Sequence, residues 1–261
     1  MSSVVTFSLY RFDGWADKVW ALFNMPVSKL ALRRVPGASF TKMMGTGGGA
    51  GFSWKPNYGV YAMLCEWPSV ETAEHAFANA PIFQRYRSRA LETATLFLEP
   101  VSARGTWDGH VFSVPGHGVE QARPVIAMTR ATLRLKTLLS FWRRVGRISD
   151  DAEVEAEQHF MIGTGELPWV RQVTFSVWAS IETMERFARK SASHGEAARL
   201  AFARGWFRES CFMRFNLVKA SGTWPGLDDL VGCDRRVRFS PDTRSRPAAS
   251  VAARTLSERA S

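Results

Sequence analysis

Met43-Met44-Gly45-Thr46-Gly47 reappears in this chain as Met161-Ile162-Gly163-Thr164-Gly165. After each copy comes a strand-like run ending in Trp, then Ser-[Val/Ile]-Glu-Thr, at Trp67 with Ser69-Val70-Glu71-Thr72 and at Trp178 with Ser180-Ile181-Glu182-Thr183. Each half then closes on Gly-Thr-Trp-x-Gly, at Gly105-Thr106-Trp107-Asp108-Gly109 and Gly222-Thr223-Trp224-Pro225-Gly226. Three landmarks in one order, offset by 111 to 118 residues, mark a tandem duplication. A duplicated unit of about a hundred residues, rather than the whole chain, then limits which folds are open.

Element order within a unit narrows the choice. In the first, alternation predicts a strand over 4–10, then a helix over 17–23 ended by Pro26. Strands over 39–44 and 58–67 follow, with Gly47-Gly48-Gly49 in the turn between them. Ser69 is placed to cap a helix from Glu71, which Pro81 breaks and restarts, and 95–101 is a fourth strand. The second unit repeats this order with a strand over 125–128, a basic helix over 130–147 and strands over 158–162 and 171–178. A helix from Ile181 and a strand over 211–218 complete it. The pattern is β-α-β-β-α-β twice, an α+β class of ferredoxin-like units. Each antiparallel sheet carries helices on one face only, so two sheets in one chain can cover each other and enclose a pseudo-dimeric α/β barrel. The expected organisation is repeat one over 1–108, a Gly- and Pro-bearing linker over 109–123, repeat two over 124–233 and a disordered basic tail over 234–261.

With 34 Lys and Arg against 24 Asp and Glu the net charge is +10. Seven of the arginines lie in the tail against three acids. Arg130, Arg134, Lys136, Arg143, Arg144 and Arg147 occupy a stretch without one acid, beside Leu135, Leu138, Leu139 and Trp142 at helical spacing. Such a segment is a solvated domain helix or a surface for anionic lipid headgroups or an acidic redox partner. No nucleic-acid recognition motif accompanies the charge. Ten Trp and eighteen Phe suit a large flat or greasy ligand, although cores use the same residues. Three cysteines, Cys65, Cys211 and Cys233, lack CxxC spacing. No leader-like start and no run long enough to span a bilayer is visible. The expectation is a reduced, cytoplasmic protein with at most peripheral contact at the inner membrane.

These landmarks, together with Thr6-Phe7-Ser8-Leu9-Tyr10-Arg11-Phe12, resemble the spheroidene monooxygenase family of purple photosynthetic bacteria over about residues 3–233. The resemblance implies a haem-containing, O2-dependent enzyme of carotenoid biosynthesis fed by reduced ferredoxin. Such enzymes oxidise the C-2 position of acyclic carotenoids such as spheroidene to a ketone, giving spheroidenone. It also implies a dimeric α/β-barrel fold, with haem b in the C-terminal half. The alternatives are another haem- or porphyrin-modifying reaction on the same fold, and a ligand-binding barrel without turnover.

The glycines of 45–51 fail as a phosphate cradle, because Ala50 stands where a third glycine is needed and no Gly-Lys-[Ser/Thr] follows; hairpin geometry is the expectation. If haem is present, His or Cys would ligate its iron. His75 groups with Glu71 and Asn79 on the polar side of its helix, and His110 and His117 fall in the linker. His159 shares the strand register of Met161, so a buried core histidine is its ordinary reading. His194 follows the apolar stripe of Ile181, Met184 and Ala188 and precedes Gly195, so it is the first candidate for the axial ligand and His159 the second. A C-terminal capping histidine is the plain alternative for His194. Cys65 and Cys211 sit among apolar strand residues, where cysteine is more often filling than thiolate ligand. Arg214, offset by strand alternation from Met213 and Phe215, is the candidate distal group for steering bound oxygen, against a surface arginine.

Overall fold

The structure, a computed structural model, describes residues 3–48, 55–114, 124–138, 140, 142, 158–190 and 205–230. The first unit contributes strands β1 (Val4–Arg11), β2 (Phe40–Gly47), β3 (Pro56–Trp67) and β4 (Glu92–Gly105), with helices α1 (Trp15–Leu32), α2 (Val70–Asn79) and α3 (Pro81–Arg89). The second contributes β5 (Val125–Leu133), β6 (Gln158–Leu167), β7 (Arg171–Trp178), helix α4 (Ile181–Lys190) and β8 (Phe207–Gly222). All eight strands close into one antiparallel barrel in the order β1-β3-β2-β6-β7-β5-β8-β4. The pseudo-dimeric barrel of two ferredoxin-like units is therefore the fold, and closure leaves no sheet edge open.

Two seams join the units. A long one runs along β4 and β8, from Ala94 opposite Gly222 to Gly105 opposite Cys211. A short one joins β2 to β6 through Gly45 opposite Gly165 and Thr46 opposite Thr164. The repeated pentapeptides thus meet each other, and in the segment expected as a hairpin over 45–51 the residues to Gly47 complete β2, which pairs antiparallel with β3 as far as Pro56. Gly165 answers a packing need, since a Cβ there would lie 2.6 Å from the Arg171 carbonyl oxygen.

Every second residue of each strand points into the barrel and fills it. Val5, Phe7, Leu9, Met44, Leu64, Leu96, Ile126, Met128, Phe175, Met213 and Phe215 are buried there. Phe7 and Phe175, from opposite sheets, stack at 4.0 Å. With those side chains filling an eight-stranded barrel, its interior has no room for a large ligand. Each Gly-Thr-Trp-x-Gly closure stops one end. Trp107 from the first unit lies beneath Arg130 of the second, and Trp224 from the second beneath Arg11 of the first. Gly105 and Gly222, at φ +87° and +95°, turn the chain off β4 and β8; a Cβ on either would sit 2.0 Å from a backbone oxygen, of Ser210 or Thr93.

The repeated Ser-x-Glu-Thr is a helix start in both copies. Ser69 Oγ accepts from the Thr72 N–H at 3.2 Å and Ser180 Oγ from the Thr183 N–H at 3.3 Å. Pro81 separates α2 from α3 as expected. Pro26 does not end α1, which continues to Leu32. Ala21, Ser28 and Leu32 form its buried stripe, and a 3.0 Å hydrogen bond between the Ser28 and Tyr86 hydroxyls, the latter on α3, ties down the half beyond the proline. Those contacts offset a hydrogen-bond loss and clash worth about 3 kcal/mol.

The basic helix expected from 130 is displaced. β5 runs on to Leu133, and Arg130 lies inside the barrel. Helical geometry starts only with a 3-10 turn at Leu135–Thr137, and Leu138 and Trp142 then pack against Leu133 and Trp206. Arg143, Arg144 and Arg147 lie outside the described residues, as does the tail over 234–261. The segment expected as linker begins within the fold: His110 pairs back onto Trp107, and Phe112 is buried in the barrel core.

Candidate functional site

Two regions gather polar side chains, and they differ in kind. At the barrel end stopped by Trp107, Lys42 (β2), Arg130 (β5) and Arg171 (β7) meet Asp108, Glu166 (β6) and Glu209 (β8). Lys42 bonds Asp108 and reaches Glu166 at 3.0 Å. Arg130 bonds Glu209 through one guanidinium nitrogen and reaches Asp108 at 3.2 Å through another. Arg171 lies 3.3 Å from Asp108, and the Trp107 indole N–H donates to Glu166 at 2.7 Å. Arg130 and Glu166 have side chains only 1% and 4% exposed. Three cations and three carboxylates balance, and the indole fills the space between them. This network locks the barrel end.

The lock has a pH signature. Burial alone would raise the Glu209 carboxyl, but the Gly109 N–H, the Thr106 hydroxyl, Arg130 and the Asp108 N–H outweigh it and lower it from 4.5 to about 2. Asp108 is lowered too: Lys42, Arg171 and Arg130 outweigh its burial. A depressed carboxyl adds stability above its unfolded value and forfeits it as pH falls toward the folded one. Urea midpoints should therefore drop between about pH 4.5 and 2. In Glu209→Gln the drop should be shallower; equal slopes in the two proteins would remove Glu209 from the acid response.

The second region is the outer face of the second sheet. In the first unit that face carries Tyr10, Met43, Tyr61, Met63, Cys65 and Phe97, buried under α1, α2 and α3. Cross-strand register aligns Met43–Met63–Ser8 with Gly163–Thr174–Thr129, and Cys65–Thr6–Phe97 with Ser176–Ala127–Arg214. Met63 and Phe97 of the first unit thus become Thr174 and Arg214 in the second, while the shifted register of β6 sets Met161 opposite Ser176 where the first unit has Thr41 opposite Cys65. Gly163, Thr174, Thr129, Ser176 and Ala127 make a low bed, walled by α4 through Met184 and Phe187 packed near Trp178. Thr174 Oγ1 is buried there without a hydrogen-bond partner among the described residues. A bed of small side chains with an unused polar atom fits a large flat ligand with polar edges, and a porphyrin is such a ligand. The side-chain-filled barrel does not.

The residues singled out from sequence fall as follows. Arg214 is on this outer face, beside Ala127, at the edge of the bed; its guanidinium lies 3.6 Å from Glu185 of α4. His194 lies outside the described residues, which stop in this region at Lys190, the end of α4. His159 is exposed, correcting the expectation of a buried core histidine. A register shift between Gln158 and Phe160 leaves it without a strand partner and breaks the alternation that would align it with Met161. His110 stacks on Phe40 at 4.4 Å and meets Glu66 at 2.7 Å, so it is held by the barrel end. His117 and Cys233 lie outside the described residues. Cys65 is buried beneath the helices of the first unit and Cys211 inside the barrel. Burial raises both thiols, Cys211 to about 11, so neither is a ready thiolate. No cluster of three metal-binding side chains occurs among the described residues.

Sequence reasoning missed the lock and found only Arg214 of the second region. The lock was visible as charge inside alternation, in Phe40-Lys42-Met44 and Ile126-Met128-Arg130. The bed was visible as unequal side-chain size between copies, once strand register paired the right positions.

Comparison with known proteins agrees with this architecture. The chain is 38% identical to spheroidene monooxygenase of Cereibacter sphaeroides over 95% of its own length and 76% of that protein. It is 39% identical to the Rhodobacter capsulatus protein of the same name over 87% of its length and 95% of that protein. The chain belongs to the spheroidene monooxygenase family. The Rubrivivax gelatinosus member is 36% identical over 81% of each chain. No protein-family model matches. Among solved structures, aldoxime dehydratase aligns with a TM-score of 0.54 at 11% identity, covering 90% of this chain and 86% of that one. Another aldoxime dehydratase, in complex with butyraldoxime, gives the same TM-score at 11% identity, over 90% and 84%. At that identity the likeness establishes the shared fold alone.

Proposed function

We propose that the chain is a haem-dependent monooxygenase of carotenoid biosynthesis, oxidising the C-2 methylene of an acyclic carotenoid to a ketone, as from spheroidene to spheroidenone. O2 is the oxidant and reduced ferredoxin the electron donor. The observation that carries this reading is identity of 36–39% to three spheroidene monooxygenases across 81–95% of the chain. Each oxygen insertion at the methylene consumes one O2, two electrons and two protons and releases one water. A second insertion at the same carbon gives a geminal diol, which loses water to the ketone.

The small-residue bed on the second sheet supports haem b as the cofactor, with Gly163, Thr129, Thr174, Ser176 and Ala127 beneath it. When bound, haem iron supplies the oxygen-activating redox chemistry. His194 is the proposed axial ligand, a few residues past α4, with His159 the second choice. Arg214, a permanent cation at the edge of the bed and 3.6 Å from Glu185, is the proposed distal group and would supply hydrogen-bond donors on that side of the cofactor. The apolar side chains of α4 keep water from the reacting centre. The substrate is lipid-soluble, and no helix among the described residues is long and apolar enough to cross a membrane. Peripheral contact with an anionic membrane surface brings enzyme and substrate together from the cytoplasmic side.

The test is the absorption spectrum of the haem-reconstituted protein, joined to ketone formation with reduced ferredoxin and O2. His194→Ala is expected to lose the Soret band and turnover while its far-ultraviolet circular dichroism stays native, with added imidazole restoring part of the band. His159→Ala should keep both. A His194→Ala protein with unchanged spectrum and full turnover would transfer ligation to His159. Absence of a Soret band in the parent protein would return the fold to ligand binding without turnover.

A further inference from the structure

α1 is amphipathic in an unusual sense, because both of its faces are apolar. Ala21, Ser28 and Leu32 face the core. On the opposite side, Trp15, Val19, Leu22, Phe23, Val27 and Leu30 form one continuous exposed stripe, with Trp15 80% and Phe23 75% exposed. Their spacing of three, four and seven residues keeps them in line along the helix. A helix face that meets only water is ordinarily polar, so a stripe this long marks a contact surface.

The surrounding charge identifies the occupant. Lys29 flanks the stripe, as does Lys18, which lies 3.8 Å from Asp13 just before the helix, and Arg33 and Arg34 lie exposed at its C-terminal end. The neighbouring α3 adds exposed Arg85 and Arg87. Asp17 is the one acid of α1, and Arg89 engages it at 2.9 Å. An apolar stripe with an aromatic near its start and a basic rim is the composition of a helix lying in the lipid interface. Pairing with a second copy would instead set these cations against each other with little negative charge to relieve them.

We propose that the outer face of α1 is the surface by which this protein seats on an anionic lipid bilayer. The two copies of the duplicated unit then divide the work: the first keeps its sheet fully covered and docks, while the second has given up bulky side chains for a ligand bed. This inference rests on the proposed membrane contact, to which it assigns a surface, and it is independent of haem and turnover.

The test is cosedimentation of the purified full-length chain with vesicles of phosphatidylcholine containing phosphatidylglycerol, beside vesicles of phosphatidylcholine alone. Phe23→Ser combined with Val27→Ser should weaken binding to the anionic vesicles at least tenfold, with circular dichroism unchanged. Lys29→Glu with Arg33→Glu should weaken it at low salt, less so at high salt. A fluorophore on Val19→Cys should shift to the blue on vesicle addition. Undiminished binding of the Phe23→Ser, Val27→Ser protein overturns the proposal. If charge reversal at Arg143, Arg144 and Arg147 alone abolishes binding, the membrane contact stands and belongs to that segment, not α1. If the parent protein is a dimer that Phe23→Ser dissociates, the stripe is an interface between copies. No vesicle binding by the parent protein defeats both readings.

Discussion

Arg130→Leu is expected to destabilise the protein by about 3–5 kcal/mol, the cost of breaking a buried ion pair by removing one partner. Arg130 is fully buried and serves two carboxylates at once, Glu209 and Asp108, while its guanidinium lies over Trp107. Without it, Asp108, Glu166 and Glu209 face only Lys42 and Arg171, and one negative charge is left without a counter-ion. Arg11 at the other end supplies the internal control. It also pairs with a glutamate, Glu92 at 2.8 Å, and lies over a tryptophan, Trp224, but its side chain is 38% exposed. Arg11→Leu should therefore cost only about 1 kcal/mol. Urea midpoints of the two variants decide it. Equal losses would mean that the network contributes no more than a surface ion pair.

Gly222→Ala should be comparably severe, at about 3 kcal/mol or more. Two independent penalties coincide there, a backbone at φ +95° and a methyl carbon placed 2.0 Å from the Thr93 carbonyl oxygen. Gly105→Ala meets the same pair of penalties against Ser210. Both oxygens belong to the β4–β8 seam, where the chain cannot yield without breaking the ladder that joins the units. Gly109, also at positive φ but with open space around its Cβ position, isolates the conformational part. Gly109→Ala should cost about 1–2 kcal/mol. Thermal unfolding of the three variants separates strain from collision, and a Gly222→Ala protein no less stable than Gly109→Ala would show that the seam can relax.

Local chemistry wrote much of this fold legibly into the chain. The serine caps at Ser69 and Ser180, the break at Pro81 and the strand ending at Trp178 were readable because each depends on residues a few positions apart. Where neighbours in space overrule neighbours in sequence, the reading failed. Pro26 looks like a stop, yet Ser28 and Leu32 find partners on other elements and carry α1 past it. Arg130 looks like the first cation of a basic helix, because nothing local reveals that Glu209 and Asp108 await it inside a barrel. His159 has the parity of a core residue until the register shift at Gln158 and Phe160 cancels it.

The candidate site divides in the same way. A chemical expectation, haem with a histidine ligand, came from resemblance and not from any local pattern. The surface that suits it came from comparing two sheets: counting back from Trp107 and Trp224 already pairs Phe97 with Arg214 in the sequence, and register adds that both lie on the outer face beside Thr6 and Ala127. By itself, the sequence determined the duplication, the order of elements and the residues that end them, all properties of short range or of direct self-similarity. Only the tertiary structure decided which strand faces point inward, that the two Met-x-Gly-Thr-Gly segments pair with each other, and that each unit's tryptophan lies beneath the other unit's arginine. Those outcomes depend on barrel closure, which brings together residues some hundred positions apart, and strand periodicity carries no information about which of its two faces will be enclosed.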